Sequence, residues 1–398
     1  MEFYNPQFIT EHCQNILRFY NERVIDNTGG YFQSYHNNGR LFNEKFRHLV
    51  SSTRIVINYA TAGHFFNNKE YLEIARHGLN YVEQVHWQEE SQKYAWLMDN
   101  HKPTDMTQQA YGYAFVLMMY AAAKKAGLVT DEKQILKIYK LIEDMFWQEE
   151  YGLYADEISP DGELSTYRGQ NSNMHMCEAM IYCFEATQNT LYLKKAEIIA
   201  FNIVKRQASL TDGLIWEHFT ENFQPDWEYN KDDPKNIYRP WGFQPGHQTE
   251  WSQLLVLLNQ YSPKDWLIDS AKELFDRAFD KSWDNEYGGL FYGFSPDGDI
   301  CDSDKYFWVQ SESIASAAML FNETQDDKYL MFYDKLWEYS WEHFVDHKEG
   351  AWYWLLKNDN SHYSNQKSVS GAKCDFHTIG ACFKVLTSMG ISTIDDLA

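Results

Sequence analysis

One phrase recurs six times along this chain, and it limits the fold more than any other feature. In each copy an acidic or Trp-rich stretch is followed by a glycine or small residue and then by a short aromatic strand. The copies are Gly30-Tyr31-Phe32, Tyr94-Ala95-Trp96, Gly152-Leu153-Tyr154, Gly213-Leu214-Ile215-Trp216, Gly289-Leu290-Phe291-Tyr292 and Gly350-Ala351-Trp352-Tyr353-Trp354. Their first residues lie 64, 58, 61, 76 and 61 apart, so a unit of about 60 residues is repeated. The long fourth interval holds an extra segment around Asp226 to Pro240.

Most copies run on into a turn signal, Asn38-Gly39, Ser159-Pro160-Asp161-Gly162 or Ser295-Pro296-Asp297-Gly298, which reads as a short hairpin. A helix then follows. Ala114 to Lys125, Met174 to Ala186 and Thr249 to Gln260 are apolar over wide arcs, as helices packed on two sides must be. A second, more polar helix opens on a shared cue at Lys69-Glu70-Tyr71-Leu72, Leu191-Tyr192-Leu193, Lys264-Asp265-Trp266-Leu267 and Asp327-Lys328-Tyr329-Leu330. One further helix, about Pro6 to Val24, precedes the first phrase, and the chain ends soon after Ile391 on an inner one, so circular closure would pair the two ends. Six units of loop, inner helix and outer helix predict an all-α fold: an (α/α)6 barrel of six helical-hairpin repeats with short β-hairpin loops on one face. The rival, an open solenoid, needs polar capping repeats, and none stands out. No Gly/Ser-rich linker interrupts the repeats, so residues 1–398 read as a single domain.

Composition narrows the partners. With 35 basic and 57 acidic residues the formal charge is −22, which argues against a nucleic-acid or anionic-membrane surface and suits a neutral ligand. Aromatics make up 17% of the 398 residues, enough to fill a core and leave rings over for the C–H faces of a sugar. Met1 to Thr10 lacks the charged-then-apolar order of a signal peptide, no apolar run reaches the roughly 20 residues of a membrane span, and the expectation is a cytoplasmic protein. The six cysteines are scattered without CxxC pairs and read as reduced thiols.

If hairpins and inner-helix starts share one face, polar residues just after each phrase converge there. These are Arg54, Tyr111, Asn171 and His175, His247 and Glu250, Trp308 and Glu312, and His377. Asn171 and His175 are four apart and face one way; the plainer account is an Asn N-cap and a buried histidine. His247 follows the turn residues Pro245-Gly246, with Glu250 three residues on, so one helix face can hold a His–Glu pair suited to general base work; the alternative is a capping arrangement with an incidental histidine. His377 opens the last apolar helix, Ile379 to Leu386, and alone reads equally as a buried structural histidine. Arg54 is a lone cation on an apolar helix and needs acceptors, either a salt bridge to Glu178 or Glu312 or a sugar oxygen. A metal set of His175, His247, Glu250 and His377 has no supporting HxH or HExxH spacing, and Walker, Rossmann and nucleophile-elbow motifs are absent. No metal and no cofactor are expected.

At these segments the chain resembles the N-acylglucosamine 2-epimerase superfamily, in its branch of mannose and sulfoquinovose isomerases. The resemblance rests on Thr53-Arg54, the run Tyr167-Arg168-Gly169-Gln170-Asn171-Ser172-Asn173-Met174-His175, Pro245-Gly246-His247 with Glu250-Trp251, and Lys373 to His377. Val50 and Phe376 depart from it, standing where some relatives carry an aromatic and a tyrosine. It implies an (α/α)6 barrel and metal-independent proton transfer, with His247 and His377 as the acid/base pair and His175 and Glu250 assisting. Arg54 and Asn171 would hold substrate hydroxyls, with Tyr111 and Trp308 shaping the pocket. The expected activity is aldose–ketose isomerisation of D-mannose and D-fructose through a cis-enediol, acting on a free monosaccharide as a monomer or homodimer. The alternatives are 2-epimerisation of an N-acylglucosamine or cellobiose type, sulfoquinovose isomerisation, an inverting glycosidase using Glu250 and Glu312, and a non-catalytic carbohydrate-binding barrel.

Overall fold

The computed structural model describes residues 2–397. Among them are twelve α-helices: α1 Pro6–Asn21, α2 Leu49–Phe65, α3 Lys69–Tyr81, α4 Ala110–Lys125, α5 Lys133–Phe146, α6 Gln170–Thr187, α7 Thr190–Ala200, α8 Pro245–Tyr261, α9 Leu267–Ser282, α10 Phe307–Thr324, α11 Asp327–His343 and α12 Phe376–Ser388. By its contacts the chain divides into two compact units. The first comprises Met1–Arg18, Ala200–Asn365 and His377–Ile391, the second Phe19–Ile199, Gln366–Phe376 and Ser392–Ala398.

In the second unit α4 lies between α2 and α6, with α3 backing α2 and α5 backing α4. In the first, α8 packs on α10, with α9 and α11 behind them. Sequence decides which helix is inner. From Ala110 to Ala123 nearly every side chain of α4 is buried, so it must be covered on all sides. In contrast α5 buries only the stripe Ile135, Ile138, Tyr139, Ile142 and Phe146. This outer helix lacks the cue shared by the others and opens instead on Asp131, whose carboxylate accepts from the Lys133 N–H at 3.0 Å. The two ends of the chain meet within the first unit. Tyr4 Oη donates to Asn322 Oδ1 at 2.6 Å, and Asn322 Nδ2 donates to Ser388 Oγ at 2.8 Å.

The hairpins form at their turn signals. Ser34–His36 pairs with Leu41–Asn43 around Asn38-Gly39 and, on its other edge, with Gln366–Ser368. Gly293–Phe294 pairs with Ile300–Asp302, and Ile158 bridges Leu164. The inner helices begin earlier than their apolar runs suggest: α4, α6 and α8 each start four residues before the expected point, and α12 starts three before. Their first turns are polar or contain Pro and Gly, so hydrophobic periodicity cannot see them.

Each phrase closes back on the end of the preceding helix. Trp87 pairs with Tyr94 and Trp147 with Tyr154, while Trp283 bridges Leu290. The tight return needs a left-handed residue, and five of the six copies supply glycine at φ between +61° and +85°.

A buried amide then pins the phrase. Asn173 Oδ1 accepts from Tyr154 N–H at 2.8 Å while its Nδ2 donates to Tyr154 O at 3.0 Å. Gln248 does the same to Ile215 at 2.9 and 2.8 Å, and Gln310 to Leu290 at 2.9 and 2.9 Å. All three amides are fourth residues of their helices, α6, α8 and α10. A single extended strand has no neighbour for these backbone groups, and the amide takes a neighbour's place. Gln310→Leu leaves the Leu290 N–H and C=O buried without partners, so urea unfolding should show a loss of about 2–4 kcal/mol. A loss below about 0.5 kcal/mol would mean that the clamp is dispensable.

At the start of α2 two neutral histidines do related work. His48 Nδ1 accepts from Val50 N–H at 3.1 Å as the N-cap, and burial, with His86 and Arg54 nearby, pushes its pKa down to about 3. His86 bridges Ala95 O at 2.9 Å and Ser52 Oγ at 3.0 Å; burial chiefly brings it to about 4. Both values lie below the roughly 6.5 of an unfolded histidine, so below that pH the unfolded chain binds the extra protons. The stabilisation is complete above about pH 6.5 and is lost as pH falls toward 4. Thermal unfolding between about pH 7 and 4.5 should therefore show a falling Tm, with a shallower slope in His86→Gln. An unchanged slope in that variant would remove His86 from the account.

Candidate active site

The register that puts the amide clamp at position four of an inner helix puts positions two and six on the opposite side, since each residue turns about 100°. Position two is Tyr111 in α4, Asn171 in α6, Trp308 in α10 and His377 in α12; position six is Arg54 in α2, His175 in α6, Glu250 in α8 and Glu312 in α10. His247 is third in α8. Every candidate taken from the sequence thus falls in the first two turns of an inner helix.

In the first unit, His247 and His377 both lie against the Trp308 ring, with centroids 5.0 and 5.7 Å away. Each imidazole gives Nδ1 to a buried glutamate. His247 Nδ1 is 2.9 Å from both carboxylate oxygens of Glu217, and His377 Nδ1 is 2.7 Å from Glu312 Oε1. An ionised glutamate accepts the Nδ1–H, which fixes that tautomer and leaves the Nε2 lone pair for proton transfer. Both rings keep a small exposed edge, at 10% and 8% of the side chain.

The expected His247–Glu250 pair is not formed; the partner of His247 is Glu217. Position 247 turns its Nδ1 back toward its own phrase, where Glu217 directly follows Trp216, whereas Glu250 lies with Glu312 and His377. No side-chain capping arrangement forms there either. The N-cap of α8 is Gln244, without a side-chain bond, and Pro245 occupies the first turn.

Glu312 is held on both oxygens. Burial alone would raise its carboxyl pKa, but Lys384 at 3.2 Å, the His377 bond and Gln253 Nε2 at 2.8 Å bring it far below the usual carboxylate range. One ligand atom each of Glu250, Glu312 and His377 lies within 4.8 Å of the others, a spacing that a metal ion can use. The donor set fits a cation poorly, because an ammonium already sits on Glu312.

In the second unit, Arg54 forms no salt bridge among the described residues. Its guanidinium donates to Tyr111 Oη at 2.7 Å and lies over the rings of Phe115 at 4.2 Å, Phe376 at 4.9 Å and Tyr111 at 5.7 Å. The Nε is buried without a partner. Ring faces stabilise a cation by about 0.5–2 kcal/mol each but give its N–H groups no acceptor. The expected Glu178 pairing goes instead to His175, whose Nδ1 is 3.0 Å from Glu178 Oε2. Asn171 is not an N-cap; Gly169 is, and Asn171 Oδ1 is buried with no hydrogen-bond partner.

Glu217, Gln253 and Lys384 escaped the sequence reading. A signal for Glu217 existed: it stands four residues after Gly213, as Asp156 stands four after Gly152. Asp156 accepts from Gly169 N–H at 2.7 Å and Ser172 Oγ at 2.7 Å, at the start of α6.

Paired inner and outer helices with polar first turns define the all-α class of (α/α)6 barrels, and solved structures share the fold. A crystal structure of a D-mannose isomerase matches with a TM-score of 0.96 at 48% identity, covering 98% of this chain and 99% of that one. The cellobiose 2-epimerase of Spirochaeta thermophila matches with a TM-score of 0.83 at 19% identity, over 96% and 97%, a likeness of fold. The chain belongs to the N-acylglucosamine 2-epimerase (GlcNAc 2-epimerase) family, whose model matches residues 30–381. Within it, the D-mannose isomerase of Marinomonas mediterranea is 48% identical over 97% of this chain and 98% of its own length.

Two glycines of the inner helices make opposite predictions. A Cβ on Gly246 would lie 2.3 Å from the Trp308 ring, so Gly246→Ala must displace the ring that both histidines touch, at a cost of about 1–3 kcal/mol. A Cβ on Gly380 in α12 meets nothing within 4 Å, and Gly380→Ala should stabilise by about 0.5–1 kcal/mol. Denaturant unfolding of the two variants checks this; loss of stability in both, or in neither, contradicts it.

Proposed function

We propose that this chain is an aldose–ketose isomerase interconverting D-mannose and D-fructose. The observation that carries the reading is the pair of His–Glu dyads against Trp308, each with Nδ1 occupied and Nε2 left for a proton. The near full-length relatives named D-mannose isomerase support the sugar. A proton alpha to an aldehyde is weakly acidic, so the site must supply a base of near-neutral pKa and stabilise the enediolate.

His247 Nε2 takes the proton of the anomeric hydroxyl and donates it to the ring oxygen as the hemiacetal opens. His377 Nε2 takes the C2 proton, giving the cis-enediol. His377, whose proton exchanges with solvent while the enediol lasts, delivers a proton to C1 while the hydroxyl proton passes between O1 and O2, and the aldose becomes the ketose. Glu250 and His175 assist these transfers. Arg54, Tyr111, Asn171, Trp308 and Glu312 are the substrate-binding residues of this reading; the unmatched Arg54 Nε and Asn171 Oδ1 support the first and third. A glycosidase acid must be protonated at rest, which Glu312, held ionised by Lys384 and Gln253, is unsuited to be.

In this reading the reaction uses a free monosaccharide without metal or cofactor, since histidine supplies the proton chemistry and Lys384 already sits on Glu312. The chain acts as a single domain over 1–398, in keeping with a family match that runs through both units, and as a monomer or homodimer. Six free cysteines favour a cytoplasmic location, and no helix of the described residues is long and apolar enough to cross a membrane.

The test is incubation with mannose, fructose, glucose, N-acetylglucosamine and cellobiose in deuterated water, with label positions read by NMR. Deuterium at C1 of fructose is the expected result. Label at C2 of an epimer means 2-epimerisation instead, and no incorporation from any sugar contradicts the isomerase. In His377→Asn turnover should fall by about 10²-fold or more with folding retained; unchanged turnover would sink the role given to His377.

A further inference from the structure

Both catalytic histidines have a glutamate, yet the glutamate behind His377 is itself held by a lysine from the same helix as the histidine. His377 and Lys384 are seven residues apart, two turns of α12, so both face α10. Glu312 of α10 reaches between them, with Oε1 on His377 Nδ1 at 2.7 Å and Oε2 on Lys384 Nζ at 3.2 Å. Gln253 of α8 closes the arrangement, donating to Glu312 Oε2 at 2.8 Å and to its backbone carbonyl at 2.7 Å. Glu312 is 1% exposed and the Lys384 side chain 12%.

A carboxylate this deep needs a positive charge beside it. If the imidazole were the only cation at hand, the pair would hold a proton at rest, and a protonated imidazole is no base. The ammonium removes that need: carboxylate and lysine balance, and the ring can stay neutral. We propose that Lys384 is a positioning residue which, through Glu312, keeps His377 neutral with its Nε2 lone pair presented to the substrate. The charged groups facing this imidazole within its unit are Glu312 of α10, Glu250 of α8 and, through Glu312, Lys384 of α12. The two carboxylates favour the imidazolium, and the lysine opposes them. This inference rests on the isomerase reading.

The test compares wild type, Lys384→Met and Lys384→Arg for mannose–fructose interconversion between about pH 5.5 and 9.5, with kcat and KM separated. In K384M turnover at neutral pH should fall about tenfold or more, KM should change less than about twofold, and the acid limb of kcat/KM should move up by about one pH unit, with turnover recovering at the alkaline end. K384R should keep the wild-type acid limb. An acid limb that stays in place in a folded K384M overturns the proposal, whether turnover is intact or uniformly reduced. A second measurement stands if K384M does not fold. The ¹⁵N shifts of the wild-type His377 ring, assigned by their loss in His377→Asn, should show a neutral Nδ1–H ring above the acid limb. An imidazolium or an Nε2–H ring there overturns it too. These shifts are read without substrate, so failure of the wild type to isomerise any sugar would count against the isomerase reading alone.

Discussion

A buried side-chain amide bonded to both backbone groups of one short strand is the interaction on which the site depends. The aromatic phrases are too short to form a sheet, and a strand with an unpaired edge inside a protein carries a desolvation cost at each N–H and C=O. Asn173, Gln248 and Gln310 remove that cost, each from the fourth position of the helix that follows its phrase. The clamp sets the rotation of the helix as well as the position of the strand. Once position four faces the phrase, positions two and six face away from it. The second repeat reaches the same end by other means: Tyr113, fourth in α4, accepts from Tyr94 N–H, and Gln108 donates to Tyr94 O. In α12 the fourth residue is Ile379, and no amide clamp operates there.

Repetition also explains how the His247–Glu217 dyad arises from a structural contact. Asp156 and Glu217 occupy equivalent places after their phrases. The shorter side chain of Asp156 fastens the start of α6 through Gly169 and Ser172. The third residue of α8 is His247, where α6 has Ser172, and the longer Glu217 reaches its imidazole. Gly246 gives up its side-chain volume to the Trp308 ring, so the same turn that presents His247 also admits the ring against which it rests.

What was legible in the sequence follows from what repeats. Six phrases with glycine at a fixed place announce a recurring left-handed return, and the apolar inner helices announce burial on all sides; both depend on neighbours in sequence. Candidate positions were legible for the same reason, because a residue near a helix start stays there whatever the tertiary packing. Helix starts were misread where the first turn is polar, as at Gln170 to Asn173 and Pro245 to His247, since hydrophobic period has no signal in those stretches. Partners were harder still. Glu250 is three residues from His247 and Glu217 is thirty away; sequence spacing favours the first, and the direction of one imidazole decides for the second. For Arg54 only the salt-bridge alternative fails: its surroundings are rings, which attract a cation without taking its hydrogen bonds.

The charges around the candidate residues show why histidine suits this chemistry where carboxylates alone would not. Glu178, Glu217, Glu250 and Glu312 are all buried, in a chain that already carries a formal charge of −22. A buried carboxylate without compensation would either take up a proton itself or, staying ionised, hold one on an imidazole beside it. Cations at chosen points limit this. Lys384 holds one carboxylate as an anion, and Arg54 brings a permanent charge set on rings, unspent on any glutamate. The first leaves an imidazole free to accept a proton. The second leaves the Arg54 Nε–H buried without an acceptor. A base with no carboxylate behind it would have no fixed tautomer, and one with an uncompensated carboxylate would have no lone pair; the lysine places His377 between those two failures.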